Sequence, residues 1–101
     1  MAVTINIEAE TVNVILKGNL NENGANELYN KVSSLKNNKN IKKININCRM
    51  VEKIDSPGIG RLIYLYKVFN SRNISITIQN LSPYYKEIFQ SLKMDKLFTL
   101  E

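Results

Sequence analysis

With 101 residues, 44% of them hydrophobic, and a net charge of +5, the chain is sized for one domain around one core, spanning residues 1–101. Histidine is absent, which removes the usual general base, the middle member of Ser-His-Asp and Cys-His arrangements, and the commonest transition-metal ligand. The nine carboxylates are scattered without paired spacing, so an enzyme, a resident metal and a bound cofactor are not expected.

Met1-Ala2-Val3-Thr4-Ile5-Asn6 alternates from the start and has none of the basic, apolar and small-residue regions of a secretory signal. Nor does any apolar run approach the ~18 residues of a membrane span, so a cytoplasmic protein with no transmembrane segment is expected. Val3–Ile7 and Val12–Leu16 are rich in β-branched residues and flank the polar Glu8-Ala9-Glu10-Thr11, which predicts a hairpin. Gly18-Asn19-Leu20-Asn21 then breaks the pattern. From about Asn23 to Leu35, the spacing of Leu28, Val32 and Leu35 predicts a first amphipathic helix.

The connector Lys36-Asn37-Asn38-Lys39-Asn40-Ile41-Lys42-Lys43 holds the densest positive charge but no aromatic residue on which a base could stack. It is expected to be a solvated loop, and no direct nucleic-acid binding is expected. The asparagine richness that extends beyond it looks compositional. Ile44, Ile46 and Cys48 alternate with Asn45 and Asn47 as a third strand. Cys48, the only cysteine, is in phase with the isoleucines and is expected to pack as a small hydrophobe.

Ile54-Asp55-Ser56-Pro57-Gly58-Ile59-Gly60 follows, where a loop at the strand end becomes an apolar helix. Ser56 before Pro57 predicts a serine N-cap and a first-turn proline, which lacks only an N–H that the helix would not use. Ile59, Leu62, Ile63, Tyr66 and Phe69 form the stripe of this second, largely buried helix, Leu65 and Val68 broaden it, and Asn70-Ser71-Arg72-Asn73 ends it. Gly60 and Tyr64 fall on another face, so Gly60 marks either tight packing on the sheet or a docking surface. Gly58 and Gly60 do not complete a Gly-x-Gly-x-x-Gly pattern, because the third position is Ile63. Ile74–Ile78 alternates as a fourth strand, and Ser82-Pro83 caps a third helix with Tyr85, Ile88, Phe89 and Leu92. Leu97-Phe98-Thr99-Leu100 closes the chain, with room for a fifth strand.

The order β-β-α-β-α-β-α contains a βαβ unit over residues 43–78, whose strands should be parallel. Alternating rather than continuous apolar strands place the helices mainly on one face of a mixed four- to five-stranded sheet. Ser56 then stands at the carboxyl edge, where α/β folds place functional groups. Neither the hairpin nor the outer sheet face carries an apolar patch that requires a dimer.

The element order, the Gly18-Asn19-Leu20 turn and the Ile54–Ile59 segment resemble the STAS domain of bacterial anti-sigma factor antagonists, across nearly the whole chain. In that family the motif is usually Asp-Ser-Ser/Thr-Gly-apolar, and a partner anti-sigma factor that is also a serine kinase phosphorylates the serine after the aspartate. The resemblance makes Ser56 the phosphate acceptor, with Asp55, Ser56, Gly58, Gly60, Arg61 and Tyr64 meeting the partner. A serine phosphatase would restore the unmodified form. Pro57 departs from the pattern by removing a second hydroxyl, and Asn21 stands where a Gly-x-Leu-Asp pattern has an acid. Similar domains also serve as scaffolds in stress-signalling assemblies or as small subunits of lipid-transport ATPase complexes, where Ser56 would be only a cap.

Overall fold

The computed structural model describes all of residues 1–101. Its elements are β1 (Ala2–Glu8), β2 (Thr11–Leu20), α1 (Glu22–Val32) with a 3-10 extension (Ser33–Asn37), β3 (Lys43–Ile54), α2 (Ser56–Asn70), β4 (Ser75–Gln79), α3 (Pro83–Ser91), a 3-10 turn (Met94–Lys96) and β5 (Thr99–Leu100). Sheet order follows chain order: β1 is antiparallel to β2, and every later neighbour is parallel. Parallel neighbours need a crossover. α1, α2 and α3 supply the three crossovers, so the βαβ unit expected over residues 43–78 is the middle of a series.

Strand alternation decides which face is covered. Val12, Val14 and Leu16 of β2, Ile44, Ile46 and Cys48 of β3, and Ile76 and Ile78 of β4 are buried in one core. Leu28 and Val32 of α1, Leu62, Leu65 and Phe69 of α2, and Phe89 of α3 complete it. Tyr66 of α2 meets Phe98 edge-on at 5.7 Å between ring centres, tying the chain's end to the middle helix. No helix is long and apolar enough to cross a membrane.

The opposite face carries amides and hydroxyls. One row crosses all five strands as Asn6, Asn13, Asn45, Thr77 and Thr99. Asn45 Nδ2 donates to Asn13 Oδ1 at 3.1 Å, and Asn80 Nδ2 donates to Asn47 Oδ1 at 3.1 Å. Part of the asparagine richness is therefore structural, since amides pair across a face that no helix covers, with Asn45 Oδ1 left buried and unpartnered.

β2 and β3 run further than their sequences suggest. Gly18, Asn19 and Leu20 do not end β2 but pair with Val51, Lys53 and Ile54. The residues after Cys48, expected to be a loop, are strand. The register explains why alternation fails there: Ile15 faces Asn47 while Lys17 faces Met50, and Gly18 faces Val51 while Asn19 faces Lys53. At each step β3 uses one residue more than β2, and such bulges break the period of two. Gly18 takes φ +114° in this stretch, a conformation that side chains resist.

Cys48 lies in the core beneath the helices, and burial pushes its thiol up from 9.0 to about 12. A thiol reagent at pH 8 should leave the folded protein unlabelled and modify Cys48 only after denaturation. The unfolded thiol ionises near pH 9 while the folded one stays neutral. Its contribution to stability is therefore complete below that pH and is lost as pH rises toward 12, which urea titrations at pH 8 and 10 would read out.

Candidate docking site at the head of the second helix

The carboxyl ends of β2 and β3 lie side by side, with Leu20 opposite Ile54, and each strand runs directly into a helix. The two junctions share a device. Asn21 Oδ1 accepts the Gly24 N–H at 2.9 Å, and Asp55 Oδ1 accepts the Gly58 N–H at 3.0 Å. Each cap satisfies one amide that the first turn leaves unpaired. Asn21, which replaces the acid of the family pattern, fills its position as a cap.

The cap of α2 is thus Asp55 and not Ser56, which corrects the expectation from the Ser-Pro pair. Asp55 is extended, with φ −109° and ψ 177°, whereas Ser56 already belongs to the helix. Ser56 is the first helical residue and Pro57 the second, and both are exposed. Relieved of capping, the Ser56 hydroxyl is presented to solvent. Few amides remain to greet an anion there: Pro57 has none, Gly58 serves Asp55 Oδ1, and the Ile59 N–H goes to the Asp55 carbonyl at 3.0 Å. A phosphate on Ser56 would gain from the helix dipole but little from free N–H groups, and it would stand beside the Asp55 carboxylate.

The two glycines of the motif separate. Gly58 is buried, and a methyl group there would drive into the Leu20 carbonyl. Gly58 therefore leaves the expected set of partner contacts and becomes a packing residue that lets α2 close onto the end of β2. Gly60 has nothing within 4 Å of an added Cβ, so packing does not explain it. Asp55, Ser56, Gly60, Arg61 and Tyr64 are all exposed.

Pro57, Gly60, Arg61 and Tyr64 share one helical face and, with Glu22 of α1, line an open depression of about 460 Å³. Tyr29 of α1 backs it, its ring 5.4 Å from that of Tyr64 and tilted by 56°. Burial first, and then the Tyr64 phenol, raise the Tyr29 hydroxyl's pKa, with Arg61 pulling the other way. Pro57 was discoverable from its i, i+3, i+4, i+7 spacing with Gly60, Arg61 and Tyr64. Glu22 and Tyr29 arrive through helix packing, which local sequence does not encode. The lysine-rich connector lies at the far end of the strands, where Lys36, Lys39, Lys42 and Arg72 surround a separate depression of about 350 Å³.

A mixed sheet with helices on one face and a strand-Asp-Ser-helix junction at its carboxyl edge defines a class of small α/β domain. The family model described as "Mlab, STAS domain" matches residues 3–100, and the chain belongs to the STAS domain family. Among solved structures, the chain is similar to the Bacillus cell fate determinant SpoIIAA in its phosphorylated form. That match has 20% identity and a TM-score of 0.78, covering 99% of this chain and 91% of that one. An anti-sigma factor antagonist from Mycobacterium paratuberculosis matches with 16% identity and a TM-score of 0.82, over 98% and 83% of the two chains. A sulfate transporter family protein from Wolinella succinogenes has 13% identity and a TM-score of 0.76, over 90% and 73%. These likenesses establish a shared fold.

Four substitutions separate packing, capping and exposure. Gly58→Ala should cost roughly 1–3 kcal/mol in urea denaturation, because a backbone carbonyl must move. Gly60→Ala should instead stabilise by up to about 1 kcal/mol. Asp55→Ala should cost about 1 kcal/mol, whereas Ser56→Ala should change stability by less than about 0.5 kcal/mol.

Proposed function

We propose that the protein is a binding module, an anti-sigma factor antagonist that docks on an anti-sigma factor through the head of α2 and thereby frees a sigma factor. The observation that carries this reading is the exposed Ser56 beside a groove lined by Glu22, Pro57, Gly60, Arg61 and Tyr64, with capping left to Asp55. The similarity to SpoIIAA, whose unphosphorylated structure is described as an anti-sigma factor antagonist, and to the Mycobacterium paratuberculosis antagonist supports the assignment. The mechanism is electrostatic. The unmodified hydroxyl is small and neutral, so a partner helix or loop can seat against Gly60 and Tyr64.

A serine kinase, taken to be the anti-sigma factor itself, then transfers phosphate to Ser56, adding about −1.5 to −2 charges near neutral pH. That charge stands beside Asp55, in a place with few free amides. It is dehydrated if the partner remains, and like charges brought together across an interface cost several kcal/mol. The complex dissociates, and a serine phosphatase resets it. ATP and magnesium belong to the kinase, and this chain is substrate and competitor.

The "Mlab" description of the matching family model and the loss of a second hydroxyl at Pro57 favour a second reading. Here the same face holds the domain constitutively in a membrane-associated transport ATPase assembly, and Ser56 stays unmodified. Incubation with a candidate anti-sigma kinase and ATP, followed by mass spectrometry, separates the two. The switch predicts one phosphate on Ser56, none on Ser56→Ala, and at least tenfold weaker binding by Ser56→Asp, about 1.4 kcal/mol. An unmodified Ser56, with Ser56→Asp binding as tightly as wild type, would leave the scaffold reading standing.

A further inference from the structure

The outer edge of the sheet is a strand with little protection, reached at one outward carbonyl by Lys31 of α1. β1 joins β2 through the two-residue turn Ala9-Glu10, and in such a hairpin the closing pair, here Glu8 and Thr11, exchanges both its hydrogen bonds. Pairs alternate from there, so Val3, Ile5 and Ile7 point their backbone N–H and C=O groups away from β2. Consistent with this, the Val3 carbonyl accepts from Lys31 Nζ of α1 at 3.4 Å. β1 itself carries no lysine or proline, its register with β2 has no bulge, and its only charge is Glu8 at the end. Natural sheet edges usually carry such devices to prevent pairing. Ile7 on the apolar face is 46% exposed although it pairs with the fully buried Val12.

We propose that this edge pairs with the same edge of a second copy, antiparallel about a two-fold axis through Ile5. One register engages all three outward-pointing residues: Ile5 faces Ile5 of the second copy, and Val3 faces its Ile7. Each pair exchanges two backbone hydrogen bonds. The faces match as well, because isoleucine and valine meet on the helix-covered side while Thr4 meets Asn6 on the amide side. Ile7 gains cover beside the second copy's Val3. The Val3 carbonyl, released by Lys31 Nζ, accepts the Ile7 N–H of the second copy, and the two-fold repeats the exchange.

The contact buries less than the ~1,600 Å² of a standard interface, so the dimer is weak and forms at high local concentration. Since the axis reverses strand direction, the two α2 heads lie at opposite ends and each remains free to dock. The proposal stands apart from the assignment of Ser56.

Sedimentation velocity from roughly 10 µM to 1 mM, the range of weak association, should show a monomer converting to a dimer. Hydrogen exchange at the same concentrations should slow at least tenfold at the Ile5 and Ile7 amides as the dimer fills. Ile7→Lys, at an already exposed position, should stay monomeric throughout. A wild-type monomer at 1 mM, or a dimer in which the Ile5 and Ile7 amides exchange at the dilute rate, overturns the proposal.

Discussion

The close seating of two helix heads on the last carbonyls of β2 is the constraint on which the rest of the architecture depends. Gly24 approaches the Asn19 carbonyl and Gly58 the Leu20 carbonyl, each more closely than any side chain would permit. Both glycines are the third residue after a capping side chain, Asn21 or Asp55, which accepts their N–H. One small motif, used twice, fixes where α1 and α2 begin and how near the sheet they lie. The Asp55 N–H, donating to the Leu20 carbonyl at 3.3 Å, joins the second junction to the first. The groove between the helix heads follows from that proximity, because Glu22 and Tyr64 meet only when both helices are held at the same strand end.

The same constraint sorts the residues around Ser56. Asp55 must cap because it is extended and precedes the helix, and Gly58 must be glycine because it touches backbone. With both positions committed to structure, Ser56 and Gly60 are left exposed and structurally undemanding. A side chain free of structural duty can be modified without unfolding its helix. Under this account, charge added at Ser56 acts on whatever is docked there more than on the fold.

Much of this was legible in the sequence. The alternation of Val12, Val14, Ile44, Ile46, Ile76 and Ile78 marked the covered face, and Ser82-Pro83 marked the start of α3, where the Ser82 hydroxyl does accept the Tyr85 N–H. The Ser56-Pro57 pair misled by one residue, since aspartate, serine and proline can occupy successive positions of a helix start and only backbone conformation tells which one caps. The carboxyl halves of β2 and β3 were hidden because bulges displace the alternation on which strand recognition rests. Gly58 and Gly60 look alike in sequence. Their difference lies in what β2 places beside them, a tertiary fact. The amides of Asn13, Asn45, Asn47 and Asn80 became meaningful only once the register brought them together.

The most direct test of the account is an amide chemical-shift map of the protein titrated with a candidate anti-sigma factor. Perturbation is expected at Glu22, Tyr29, Asp55, Ser56, Gly60, Arg61 and Tyr64, with the open amide face at Asn13, Asn45 and Asn47 unmoved. Perturbation centred on that face or on the lysine-rich connector, with Ser56, Gly60 and Tyr64 unchanged, would contradict it.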